Sequence, residues 1–188
     1  MKLVRNAGTE RVIDLIRPWL APGNRLDIVT PAFSLFAFAE IQSELSKLAG
    51  ARVLLPKEDG ELGLLGTDAD RAARNRLQTP WLAKRCEEWI RGPVELRRAH
   101  GRVPQGALVA RDGASLPAQV ILGSLAFSTE GLGLTPGNTL SLIQASESAE
   151  ESVLLSSWFD TQWESLRTDA DGTAAFVDTL RAVSAPRA

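Results

Sequence analysis

Residues 26–56, "LDIVTPAFSLFAFAEIQSELSKLAGARVLLP", decide the fold of this chain. The opening "RLDIVTP" (25–31) is a short apolar run closed by Pro31, which reads as a buried strand. The segment 33–50 then changes period. Phe36, Ile41, Leu45 and Leu48 fall on one side of a helix, with Gly50 as its expected stop. "ARVLLP" (51–56) returns to the strand pattern. A strand, a helix and a second strand in this order predict a parallel pair joined by a right-handed crossover.

Working outward, Thr9 is placed to cap a helix with the stripe Val12, Ile16, Trp19 and Leu20, ended by Pro22-Gly23. Residues 57–67 form a polar connection. A long helical region follows over 68–91, with an interruption expected at Thr79-Pro80. Strand-like runs come next at 94–99, 106–111, 118–123 and 139–144. A helix over 148–166 carries Leu155, Phe159, Trp163 and Leu166 on one stripe, and a last helix spans about 171–183. The pattern predicts an α/β fold with a mixed β-sheet flanked by helices. One domain covers 1–168, and 169–188 form a C-terminal helix and tail. Trp19, Trp89, Trp158 and Trp163 lie on apolar helix stripes and are expected in the core, while Trp81 is left open.

Composition narrows the function classes. The 188 residues are 44% hydrophobic and 23% charged, with a net charge of −2, so no global field announces a nucleic-acid partner. The distribution is uneven. Residues 67–102 hold nine of the 21 Lys and Arg against five acids, whereas 143–178 hold eight acids and one Arg. One cysteine, Cys86, excludes an internal disulfide, and one histidine, His100, excludes a Cys/His zinc site. No apolar run reaches the roughly 18 residues that span a bilayer, and no secretory leader is read at the N-terminus. The expected location is cytoplasmic, with no membrane partner.

The stretch "VILGSLAFSTEGLG" (120–133) is the most specific in the chain. A strand ending in Gly-Ser, an aromatic-Ser/Thr pair and then Gly-Leu resembles the phospholipase D superfamily signature Gly-Ser-x-Asn-Phe-Thr followed by Gly-Leu. The strand–helix–strand at 26–56 and "LAKRCEEWIRGPVELRRAHGR" (82–102) resemble further parts of single-motif members. Such domains occur at the N-terminus of Swi/Snf-type helicases and in some restriction-type nucleases. The resemblance implies a phospholipase D-like half-unit over about residues 8–166. It also implies homodimerisation, and a metal-free phosphodiesterase chemistry with a nucleophilic histidine, a lysine two residues later and the signature asparagine.

Two registers place that His-x-Lys motif. In the first, His100 is the nucleophile and Arg102 replaces the lysine, but "VPQG" (103–106) then makes a poor strand continuation. In the second, favoured register, "ALVARDG" (107–113) continues the strand, so the histidine position falls on Pro104 and the lysine position on Gly106. The signature asparagine falls on Ala126, and no carboxylate stands near Leu140, where the family has one. Proline cannot attack phosphorus, and neither glycine nor alanine supplies a side-chain donor.

The expectation is a catalytically degenerate domain that uses no cofactor and no metal. It binds nucleic acid or a protein partner, forms a homodimer and serves a DNA helicase or translocase. Arg98, Arg102, Gly123, Ser124 and Ser128 are its anion-binding candidates. An active, metal-independent phosphodiesterase or nuclease using His100 and Arg102 across a homodimer stays open as the alternative. A purely structural dimerisation module is the third reading. No phosphate-binding loop of the GxxxxGK[ST] type occurs, so a motor is not expected in this chain.

Overall fold

The computed structural model describes residues 1–57, 62–67, 70 and 79–184. The chain runs β1 (Lys2–Leu3), α1 (Val12–Ile16), β2 (Arg25–Val29), α2 (Leu35–Leu45), β3 (Gly50–Leu55), α3 (Thr79–Arg91), β4 (Val94–Arg98), β5 (Gly106–Arg111), β6 (Pro117–Gly123), α4 (Thr129–Leu132), β7 (Ile143–Ala145), α5 (Ala149–Ser165) and α6 (Ala170–Ser184). The fold is α/β with a seven-stranded mixed sheet in the order β1-β7-β6-β5-β2-β3-β4. β2, β3 and β4 are parallel, with Leu26 opposite Ala51 and Val53 opposite Leu96. The remaining pairings, from β2–β5 across to β7–β1, are antiparallel.

Alternation along the strands sends side chains to two cores. Leu26, Ile28, Val53, Leu55, Leu96, Leu108 and Ile121 face one side, where α1, α2, α3 and α6 cover them. Phe33 sits at the centre of that core. Its ring stacks on Phe127 at 4.6 Å between centroids, and Phe176 of α6 meets it edge-on at 5.7 Å. The C-terminal helix therefore shares this core through Phe176, Val177 and Leu180. On the other side Val29, Leu54, Val109 and Val120 meet Phe159, Trp163 and Leu166 from α5 and the residue following it.

Several boundaries differ from the sequence-based expectation, each for a local reason. Thr9 does not cap α1. Instead the Asn6 side-chain oxygen accepts the Val12 N–H at 2.8 Å, and Asp14 accepts the Arg11 N–H at 3.2 Å. α2 ends at Leu45, and Gly50 opens β3, where a Cβ would lie 2.6 Å from the Arg25 guanidinium. Pro80 lies in the first turn of α3, which tolerates proline; 68–69 and 71–78 of the expected helix lie outside the described residues. The strand expected at 139–144 shrinks to Ile143–Ala145, because Asn138 folds the preceding chain into a turn through the Leu140 and Ser141 amides.

The tryptophans divide. Trp89 and Trp163 are buried as expected, but Trp19 and Trp158 are 36% and 44% exposed. Trp19 lies in a 3-10 turn (Arg17–Trp19) whose phase differs from the α-helical stripe. Trp158 falls off the face of α5 that buries Ser152, Ser156, Phe159 and Trp163. Among the described residues no helix is long and apolar enough to cross a membrane.

One charged cluster was not foreseen. Asp27, 2% exposed, accepts from Arg52 Nε at 2.8 Å and Nη2 at 2.9 Å, and from Arg111 Nε at 2.7 Å. Asp160 of α5 accepts from the Nη2 groups of the same arginines at 3.0 and 3.1 Å. The Arg52 guanidinium also lies 4.8 Å from the Phe159 ring centroid. Two carboxylates and two guanidinium groups thus tie β2, β3 and β5 to α5.

Candidate functional site

The sheet order separates the expected site residues into two groups. At one group, β5 begins and β6 ends side by side, with Gly106 directly opposite Gly123. A Cβ on Gly106 would overlap the Leu125 backbone carbonyl, and one on Gly123 would overlap that of Leu142. Gly123 also adopts φ 137°, a conformation that side chains resist. Ser124 donates its N–H to the Leu142 carbonyl at 2.8 Å and leaves its hydroxyl exposed. Ser128 is committed to the backbone: its Oγ accepts the Gly131 N–H at 2.9 Å and caps α4. Gly131 packs so closely on the Ala126 carbonyl that no side chain fits between them. Pro104 is exposed beside this strand end.

Apart from the exposed Ser124 hydroxyl and Gln105, this corner is apolar where a phosphate would need donors. A cavity of about 190 Å³ opens beside it, walled by Gly106, Ala107, Leu122, Leu155 and Trp158. Replacing Gly106 with lysine, which would recreate the cation that the phospholipase D resemblance implies, is expected to destabilise the protein. The new Cβ must displace main chain, which costs about 1–3 kcal/mol. Urea denaturation of Gly106→Lys beside the wild type measures this, and an unchanged midpoint would show that the strand end has room.

The second group lies at the β4 edge of the sheet. β4 alternates, with Arg97 and Arg98 on different faces. Arg97 donates to the Trp163 and Leu166 carbonyls at 2.8 and 3.0 Å, capping the end of α5, and it pairs with Glu95 at 2.9 Å. Its guanidinium also lies 4.5 Å from the Trp163 ring centroid. Arg98 turns the other way and donates Nε to Asp169 Oδ2 at 2.8 Å. This bond holds the Asp169 carboxyl below the usual carboxylate range, overcoming the opposing effect of burial. The same carboxylate accepts the Gly172 N–H at 2.7 Å in the first turn of α6. Position 172 has no room for a side chain, since a Cβ would sit 2.5 Å from Arg98 Nε.

Around this pair is a cleft of about 440 Å³, lined by Lys57, Arg98, His100, Leu166, Arg167 and Asp169 among others. The loop after β4 is held by two main-chain bonds, Ala99 N–H to the Leu55 carbonyl at 2.8 Å and Lys57 N–H to the Gly101 carbonyl at 3.0 Å. His100 and Arg102 are exposed, and Arg102 lies outside the cleft lining.

The structure therefore brings Arg98 and His100 together and leaves Gly123, Ser124 and Ser128 elsewhere. Three strands, β3, β2 and β5, stand between β4 and β6. Four strand spacings amount to roughly 19 Å, several times the reach of a hydrogen bond. Lys57 and Arg167 were missed by sequence reasoning. Each follows the end of a different element, and nothing in their spacing connects them to Arg98.

Among the described residues no group of three or more His, Cys, Asp or Glu side chains is arranged to hold a metal ion. Cys86 is buried in α3, and burial pushes its thiol far above the ordinary range, so it has no nucleophilic character in the folded protein. No family model matches the chain, and no curated protein matches it either.

Proposed function

We propose that this protein is a catalytically degenerate phospholipase D-like domain that binds nucleic acid, self-associates as a homodimer and serves as an accessory to a helicase or translocase. The observation that carries the reading is the strand end at Gly106. In the favoured register the attacking and clamping positions fall on Pro104 and Gly106, and Leu125 occupies the space that a clamping side chain would need. A corner that lacks both a nucleophile and a clamping cation serves for binding and not for phosphoryl transfer. The exposed cations on the far sheet edge support a polyanionic partner.

Two measurements on the full chain test this reading. Fluorescence anisotropy with a labelled oligonucleotide is expected to show binding that weakens steeply as salt rises. A phosphodiesterase assay in EDTA is expected to show no turnover above the buffer blank. EDTA-resistant turnover that disappears in His100→Ala would overturn the degenerate reading in favour of the His100 enzyme. Absence of any binding at low salt would remove the nucleic-acid partner.

A further inference from the structure

We infer that the cleft at the end of β4 is the seat of the nucleic-acid phosphate backbone, contacted by Lys57, Arg98, His100 and Arg167, and that the Gly123–Ser124 corner takes no part. This rests on the nucleic-acid reading above and assigns it a place.

Charge, shape and competition between partners all lead there. The cleft lining contains three permanent cations, Lys57, Arg98 and Arg167, against one carboxylate, Asp169. Arg98 satisfies that carboxylate, so within the described lining the charges of Lys57 and Arg167 are left over. Among the described residues no ion pair or side-chain hydrogen bond engages either of them. Arg97, two residues from Ala99, adds nothing to the cleft because the end of α5 and Glu95 occupy it.

The walls are aliphatic and polar. Trp163, the nearest aromatic residue in sequence, is buried under α5 and turned to the other core. No Phe, Tyr or Trp ring lines the cleft, where cationic groups outnumber the one exposed imidazole of His100, so it reads phosphates in preference to bases. The ligand class is accordingly a nucleic-acid strand held through its phosphodiester backbone, without base preference.

The test uses the full chain and a fluorescein-labelled oligothymidylate, with affinity measured by anisotropy across a salt series. The double variant Lys57→Gln/Arg167→Gln leaves the Arg98–Asp169 pair intact. Removing two phosphate contacts should weaken binding roughly tenfold at low salt and lower the salt slope by about 1.4. Lys2→Gln/Arg5→Gln removes the same charge at the β1 edge and should leave the slope unchanged. Ser124→Ala should bind as the wild type does. An oligodeoxyadenylate should bind within about threefold of the oligothymidylate.

Equal losses in the two double variants would overturn the inference and attribute binding to diffuse charge. An unchanged cleft variant, or a loss confined to Ser124→Ala, would overturn it while leaving nucleic-acid binding in place. A wild type that does not bind would remove the nucleic-acid reading itself, and this inference with it.

Discussion

Asp27→Ala is expected to cost about 3–5 kcal/mol of folding stability, the range for removing one partner of a buried charge network. The carboxylate lies between two guanidinium groups and accepts three hydrogen bonds from them. Arg111 is itself buried. After the substitution it retains Asp160 and a 3.3 Å contact to the Ser115 carbonyl. Arg52 fares better, because it is partly exposed and stacked on Phe159. The damage is therefore concentrated at Arg111. Thermal unfolding should show a midpoint lowered by roughly 10 °C for a domain of this size. Asp27→Asn, which keeps one oxygen acceptor, should lose less. A loss under about 1 kcal/mol in the alanine variant would mean that water reaches the arginines and that the cluster is not a structural lock.

Phe33→Ala should be comparably severe, at about 3–5 kcal/mol. The side chain is fully buried, and three other rings surround it: Phe127, Phe176 and, at 6.4 Å, Trp89. These partners come from three separate parts of the chain, so the cavity cannot close by moving one element. The Phe33 backbone is also fixed, donating to the Leu62 carbonyl at 2.7 Å, which prevents the site from collapsing. Equilibrium urea denaturation gives the loss directly, and Phe33→Leu should recover most of it. A cost below about 2 kcal/mol for alanine would show that the aromatic cluster relaxes freely.

Those two sites illustrate what the linear sequence reveals and what it hides. The 26–56 unit was legible because two short apolar runs flank a segment whose apolar spacing is 3.6, and such local patterns survive folding. β5 and α5 were legible for the same reason. β1 and β7 were poorly legible because two or three residues carry no period, and their existence depends on a neighbour to pair with. Asp27, Arg52 and Arg111 look like ordinary surface charges until the registers of β2, β3 and β5 bring them together. The candidate site behaves similarly. Arg98 and His100 are close in sequence and stay close in space, whereas Ser124 was grouped with them by resemblance alone. Placing β4 at the sheet edge moves them apart. Lys57 and Arg167 join Arg98 through sheet order and the path of α5, neither of which leaves a trace in residue spacing.

The contact between Phe33 and Phe176 also sets a timetable for synthesis. The two rings are 143 residues apart in the chain (176 − 33), yet they pack edge to face in one core. A ribosome adding about 5–20 residues per second needs roughly 10–30 s to make the second after the first. In that interval Phe33, and then Trp89 and Phe127 as each is made, lack the helix that covers them. The core closes only once residue 176 has been made and has emerged, and until then its aromatic surface is open to misassociation.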